Sequence, residues 1–118
     1  MNKPKPPLVS VVVIGRNEGE RLVDCLASVA RIPRNDFRLE LIYVVSASSD
    51  GSPERARSLG ARVIEINPQR PSAATGRNAG WRASQGEFVL FLDGDTTLDA
   101  GFVRRALRAI REPRVAVV

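Results

Sequence analysis

Asp93 and Asp95 stand one residue apart in the stretch Phe91-Leu92-Asp93-Gly94-Asp95-Thr96-Thr97. Two carboxylates at that spacing suit a hard divalent cation, Mg²⁺ or Mn²⁺, whose remaining coordination sites phosphate oxygens can fill. A plain turn is the competing reading, because Asp is favoured in turns, and Asp99 reads simply as a helix cap. Two other polar stretches carry compatible chemistry: Arg16, Asn17 and Glu18 in one, and Ser46, Ser48, Ser49 and Asp50 in the other. Short hydroxyls bond base and ribose, carboxylates accept from ribose hydroxyls or hold a metal, and Arg70 and Arg77 would add positive charge beside a diphosphate. Singly, each has a plainer explanation, with Asn17 and Ser52 as caps, Asp50-Gly51 as a turn and Arg77 as a surface ion pair. Jointly they are harder to explain as accidents if the fold brings them together.

Apolar strands would do that. Residues 88–92 are too short for a helix and too continuous for a strand with one wet face, so they read as a strand buried on both sides that delivers Asp93 and Asp95 to a sheet edge. Residues 8–14 read as a central parallel strand ended by Gly15, residues 39–45 as a second, and residues 61–66 as a third, nearer an edge because charges interrupt it.

Helices separate them. Asn17 and Glu20 resemble a capping box before a face of Leu22, Leu26, Val29 and Ala30, and Ser52 is placed to cap a short helix with Pro53 in its first turn and Gly60 as its stop. A third helix is expected over residues 73–84, although Gly76 and Gly80 each cost it about 1 kcal/mol relative to Ala. Val103, Ala106, Leu107 and Ile110 give the last helix its face, Pro113 ends it, and residues 115–118 begin another strand.

This alternation implies right-handed crossovers and an α/β fold: a Rossmann-like, doubly wound, mostly parallel sheet with helices on both faces. The loops after the first, second and fourth strands then meet at one end of the sheet, where open parallel sheets bind ligands. The expected division is a flexible leader over residues 1–7, polar and proline-rich without the apolar stretch of a signal peptide, and a single domain over residues 8–118, truncated within its last strand.

Composition narrows the function classes. The chain of 118 residues carries 18 basic and 13 acidic residues, a net charge of +5, and lysine occurs only at positions 3 and 5, so Arg dominates. Arg suits bidentate phosphate binding. Arg104, Arg105, Arg108, Arg111 and Arg114 cluster with only Glu112 as a nearby acid. They read either as a solvated helix face or as a patch for anionic lipid or a phosphorylated acceptor, which leaves a peripheral membrane contact open. Nucleic acid is disfavoured, since aromatics make up only 5% of the chain and no recognised binding module appears. Cys25 is the sole cysteine and there is no His, which excludes an internal disulfide and zinc clusters; at helical spacing with Leu22, Leu26 and Val29 it reads as core. No segment approaches a membrane span, so the expected setting is cytoplasmic, at most peripheral to the inner face of the membrane. An exposed sheet edge leaves a homo-oligomer open.

The ordered stretches Val9-Ser10-Val11-Val12-Val13-Ile14-Gly15-Arg16-Asn17-Glu18, Ser48-Ser49-Asp50-Gly51-Ser52, Gly76-Arg77-Asn78-Ala79-Gly80 and Phe91-Leu92-Asp93-Gly94-Asp95 resemble the signatures of family 2 glycosyltransferases of the GT-A fold. The resemblance runs from about Val9 to Val118. It implies transfer of a sugar from a nucleotide-diphosphate donor, with Mg²⁺ or Mn²⁺ on the departing diphosphate, to a lipid-linked, polysaccharide or small-molecule acceptor. Carried over, Arg16, Asn17 and Glu18 would border base and ribose, and Ser46 and Ser48 would line the base pocket. Asp93 and Gly94 would meet the ribose or donor sugar, Asp95 would ligate the metal with Asp93 beside it, and Arg77 would lie near the phosphates. Two departures stand out. Val45 occupies the position of a usual acid that contacts the nucleobase, and the family's acceptor half, with its general base, would begin after Val118, so the 118 residues alone are expected to be inactive. Two rivals remain: a non-catalytic nucleotide-binding or interaction module, and a haloacid dehalogenase-type phosphatase built on Asp93-x-Asp95-x-Thr97-Leu98. The phosphatase reading lacks the downstream Lys that it requires.

Overall fold

The computed structural model describes residues 6–15, 19–34, 36–46, 51–67, 72–109 and 116–117. Among the described residues five strands and four helices alternate as β1 (Leu8–Gly15), α1 (Glu20–Ala30), β2 (Arg38–Ser46), α2 (Ser52–Ser58), β3 (Arg62–Ile66), α3 (Ala73–Ala83), β4 (Phe88–Asp93), α4 (Phe102–Ala109) and β5 (Ala116–Val117). The strands form one sheet in the order β3-β2-β1-β4-β5, and every pairing is parallel. The α/β expectation therefore holds. The chain winds outward from β1 in one direction through β2 and β3, then crosses to the other side for β4 and β5. The point of reversal lies between β1 and β4.

Strand alternation divides the core. Val9, Val11, Val13, Leu41, Tyr43, Val45, Leu90 and Leu92 pack on one face with Leu22, Cys25, Leu26 and Val29 of α1, Ala56 of α2 and Val103 of α4. Val12, Ile42, Val44, Val89 and Phe91 occupy the other face, against Ala79 and Ala83 of α3. The central strands are apolar on both faces because helices cover both. Strand β3 pairs only with β2 and is an edge, as its interrupting charges suggest.

Gly76 and Gly80 let α3 lie close on β1. A Cβ at Gly80 would sit 2.2 Å from Cγ1 of Val12, and one at Gly76 would sit 2.9 Å from Cγ2 of Ile14. The two residues that weaken the helix by propensity are thus the ones that let it dock. Ser72 caps α3, its hydroxyl accepting the Thr75 amide at 3.1 Å.

The caps differ from the expectation. Helix α1 starts from Gly19, at φ +61° and without a side-chain cap bond, and Asn17, the first half of the expected capping box, lies outside the described residues. A left-handed glycine one residue before the helix turns the chain in without a polar side chain. Ser52 lies inside α2 and is buried, the cap position being Gly51; Pro53 falls in the first turn and Gly60 follows the helix end at φ +88°, as expected. Cys25 is fully buried, as its helical spacing implies. Residues 110–115, which include Ile110 and Pro113, lie outside the described residues.

The basic cluster is less bare than its sequence neighbours suggest. Arg104 pairs with Asp36 at 2.9 Å and Arg105 pairs with Asp99, so acids other than Glu112 meet this face. Both pairs are solvent-exposed, which agrees with the solvated-face reading; Arg111 and Arg114 lie outside the described residues. Among the described residues no helix is long and apolar enough to cross a membrane.

Candidate functional site

The carboxyl ends of β2, β1 and β4 lie side by side. Gly15 aligns with Val45 of β2, and Ile14 aligns with Asp93 of β4. The three loops singled out by their chemistry therefore leave one end of the sheet from adjacent strands. The crevice outside the point of strand-order reversal is where open α/β sheets bind ligands. Here it is bounded by Gly15 and Asp93.

Asp93 is the last residue of β4, and the chain then turns sharply. The Gly94 amide donates to the Ile14 carbonyl oxygen at 2.8 Å, which extends the ladder by one bond, and the Thr96 amide donates back to the Asp93 carbonyl oxygen at 3.0 Å. Gly94 is buried, whereas the side chains of Asp93 and Asp95 are exposed. The Thr96 hydroxyl approaches the Asp95 carboxylate at 3.4 Å, and among the described residues neither carboxylate forms an ion pair. The stretch is thus a turn as well as a pair of available carboxylates. Its backbone is held by a bond to β1 and one within the turn, and its acids are left for solvent or a ligand. The Gly94 amide is used by Ile14, so the contribution of Gly94 is the close turn itself.

Among the described residues no cluster of three or more His, Cys, Asp or Glu side chains gathers in a metal-binding arrangement. Asp93 and Asp95 supply hard oxygens but too few to enclose a cation, so a cation here needs several ligands from a phosphate group or water, as Mg²⁺ and Mn²⁺ commonly have.

Ser46 ends β2, and among the described residues its buried hydroxyl has no hydrogen-bond partner. Val45 is 1% exposed and packs into the core on the α1 side. At the position where the resemblance leads one to expect an acid, this chain has a core side chain, and the polar group at the carboxyl end of β2 is the Ser46 hydroxyl. Arg77 lies in the second turn of α3 and is half-buried; with Asn78, Trp81 and Phe91 it lines an open depression beside β4. Alternation along β4 puts Asp93 on the same face as Phe91, two residues further on. Among the described residues Arg77 makes no ion pair. Arg16, Asn17, Glu18, Ser48, Ser49, Asp50 and Arg70 lie outside the described residues.

Asp99 behaves as a local cap. Its carboxylate accepts the Gly101 amide at 3.3 Å and pairs with Arg105 one turn into α4. The hydrogen bond from Arg105 holds the Asp99 pKa below its ordinary value.

Reading the motifs misses what supports them from behind. Cys25 and Ser28, on α1, contact the backbone of residues 93–98. At the opposite end of the sheet, Ser10 and Glu40 stand opposite each other on β1 and β2. The available signal was the same in each case: a small or charged polar residue inside an otherwise apolar stripe.

The family profile described as glycosyl transferase family 2 matches residues 10–118. A glycosyltransferase of Haloferax volcanii, AglE, is 29% identical over 116 residues, covering 95% of this chain and 38% of its own length. Among solved structures, the mannosyltransferase PcManGT of Pyrobaculum calidifontis, in complex with GDP-Man and Mn²⁺, superposes with a TM-score of 0.78 at 26% identity over 94% of this chain and 35% of its own. TarS 1–349 of S. aureus, in complex with UDP-GlcNAc, superposes with a TM-score of 0.71 at 25% identity over 85% of this chain and 30% of its own. The chain therefore spans between 30% and 38% of the length of these relatives. A doubly wound parallel sheet with this strand order, matched over residues 10–118 by the profile, belongs to glycosyl transferase family 2.

Proposed function

We propose that the chain forms the donor-binding part of a transferase that moves a sugar from a nucleotide-diphosphate sugar, with Asp95 and Asp93 holding a divalent cation on the diphosphate. The observation that carries this reading is the placement of two exposed carboxylates, without ion-pair partners among the described residues, at the point of strand-order reversal. A purely structural turn has no need of two acids there. The bound GDP-Man and Mn²⁺ of one structural relative, and the UDP-GlcNAc of another, support a nucleotide-sugar donor and a cation.

When bound, the cation neutralises the charge that grows on the diphosphate as the glycosidic bond breaks. The chain's own residues do the rest of the binding. Asp93 accepts from ribose or donor-sugar hydroxyls, and Ser46, with its buried hydroxyl, and Ser48 line the nucleobase pocket. Arg16, Asn17 and Glu18 border base and ribose, and Arg77 approaches the phosphates from α3. Because Val45 is buried core, β2 offers no acid to the base at that position, and affinity for the base is modest. No residue here is assigned as the acceptor's base, and the 118 residues are expected to bind donor weakly and without efficient turnover. Robust sugar transfer by this chain alone would refute that last point.

Val45 also favours a second reading, a module that has lost donor binding. Calorimetry with UDP and GDP, with and without Mn²⁺, separates the two. Metal-dependent binding that Asp95→Ala abolishes supports the transferase reading. No binding by the unaltered chain at millimolar nucleotide rejects it in favour of the module.

A further inference from the structure

The acidic turn is held at both ends by one turn of α1. Ser28 is buried. Its hydroxyl donates to the Cys25 carbonyl oxygen at 2.6 Å and accepts the Leu98 amide at 2.9 Å. Its proton and a lone pair are thereby both committed, which fixes the hydroxyl rotor. Three residues earlier on the helix, the Cys25 thiol points at the Asp93 carbonyl oxygen, 3.7 Å away. Residues 93 and 98, the two ends of the turn, thus rest on side chains spaced i and i+3 on one helical face. Between these anchors, Asp95, Thr96 and Thr97 are exposed.

The Leu98 side chain packs against the core, which limits the far end of the loop, and the Ser28 bond adds a fixed point on its backbone. With Leu98 pinned as well, the carboxylates are presented in a narrow range of positions, and less ordering remains to be done when a ligand binds. The Cys25 contact is a weak sulfur bond, whereas the Leu98 amide donates to the Ser28 hydroxyl at 2.9 Å, an ordinary hydrogen bond in a partly buried position, so Ser28 is the stronger anchor.

We propose that Ser28 is a positioning residue for the Asp93-Gly94-Asp95 turn, acting through the Leu98 amide to pre-organise the carboxylates for a cation and its diphosphate. This rests on the donor-site reading above. The test uses the 118-residue chain, UDP and GDP each with Mn²⁺ as probes, and amide hydrogen exchange as a readout independent of any ligand. Ser28→Ala should weaken Mn²⁺-dependent nucleotide binding by about three- to tenfold, as expected for one hydrogen bond. It should also speed Leu98 amide exchange by about tenfold relative to the Val12 and Val44 amides. Ser28→Thr, which keeps the hydroxyl, should restore both. Val29→Ala, a destabilising change on the same helix that leaves the anchors in place, should leave affinity unaltered. Wild-type Leu98 exchange in Ser28→Ala overturns the inference. So does wild-type affinity in Ser28→Ala when Asp95→Ala abolishes binding. If neither nucleotide binds the unaltered chain, or if Asp95→Ala binds normally, the donor-site reading fails instead, and Leu98 exchange still decides whether Ser28 holds the turn.

Discussion

The two ends of the sheet carry polar residues of similar kinds and use them in opposite ways. At the amino end, the Ser10 hydroxyl donates to the Glu40 carboxylate at 2.7 Å and accepts the Gly86 amide at 2.9 Å, while the Gln85 amide donates to the same carboxylate oxygen at 2.9 Å. Ser10 is fully buried. This clasp ties β1, β2 and the entry to β4 together, and each polar group in it is answered by another. At the carboxyl end, Asp93 and Asp95 project outward and the Ser46 hydroxyl is buried without a partner among the described residues. Buried polar groups that satisfy one another contribute stability and specificity of register, whereas polar groups left open at a sheet end are candidates to receive a ligand. The same residue types therefore predict opposite responses to substitution.

The largest response in stability is expected at the clasp. A Cβ at Gly86 would lie 2.7 Å from the Ser10 nitrogen and 2.8 Å from the Leu8 carbonyl oxygen, both backbone atoms with little room to give. Gly86→Ala must push β4 away from β1, and it should cost about 3 kcal/mol in urea unfolding. A mutant midpoint equal to that of the unaltered chain would show that the clasp is slack. Ser10→Ala comes next. It leaves the Gly86 amide without its acceptor and removes a donor from Glu40, at a cost of about 2 kcal/mol. Donor affinity, measured where each variant is still fully folded, should not change, because both sites lie at the far end of the sheet.

Asp95→Ala should reverse that profile. An exposed side chain with one long contact contributes little to folding, so the unfolding free energy should move by less than about 0.5 kcal/mol, while Mn²⁺-dependent nucleotide binding is lost. If Asp95→Ala instead destabilises the chain as much as Ser10→Ala does, the acidic turn is a structural element like the clasp. The contrast between the two ends would then collapse.

What the sequence made legible follows the same division. The strands β1, β2 and β4 are evident because sheet positions covered on both faces require unbroken apolar runs, and the carboxylates at the end of β4 are evident because charge interrupts such a run abruptly. The convergence of three loops follows from parallel crossovers and was readable without knowing the strand order. The contacts that brace the site were not. Ser10 and Glu40 are 30 residues apart, Ser28 and Leu98 are 70 apart, and a lone polar residue in an apolar run shows that a partner exists without showing which. Gly76 and Gly80 read locally as a penalty, since their benefit, close approach to Val12 and Ile14, exists only once α3 is docked. The cap at Ser52 failed for a related reason: its side chain is suitable, but the adjacent Gly51, with positive φ, took the turning position. Likewise, counting only nearby acids in the sequence left Arg104 bare, when the fold brings it Asp36.

The smallest effect lies between the two extremes, at Asp99, which closes the segment that follows the acidic turn. It is exposed, yet Arg105 donates to its carboxylate and the Gly101 amide adds a second bond, so its pKa in the folded chain is held below its ordinary value. A carboxylate with a depressed folded pKa stabilises the fold above its unfolded pKa, and that contribution fades as pH falls through the folded value. The affected window is therefore acidic, below about pH 4, and neutral-pH stability should be insensitive to it. Arg105→Ala should let the Asp99 pKa rise toward its ordinary value, as followed by carboxyl NMR shifts, and should remove the small acid-limb contribution to stability. Because the pair is open to water, salt should screen it, and moderate ionic strength should shrink the difference between the two chains. An Asp99 titration identical in both proteins would mean that Arg105 does not hold the Asp99 carboxylate and that the Gly101 amide is its effective partner. In that case the acidic turn would be braced only from α1, through Ser28 and Cys25, with no help from the helix that follows it.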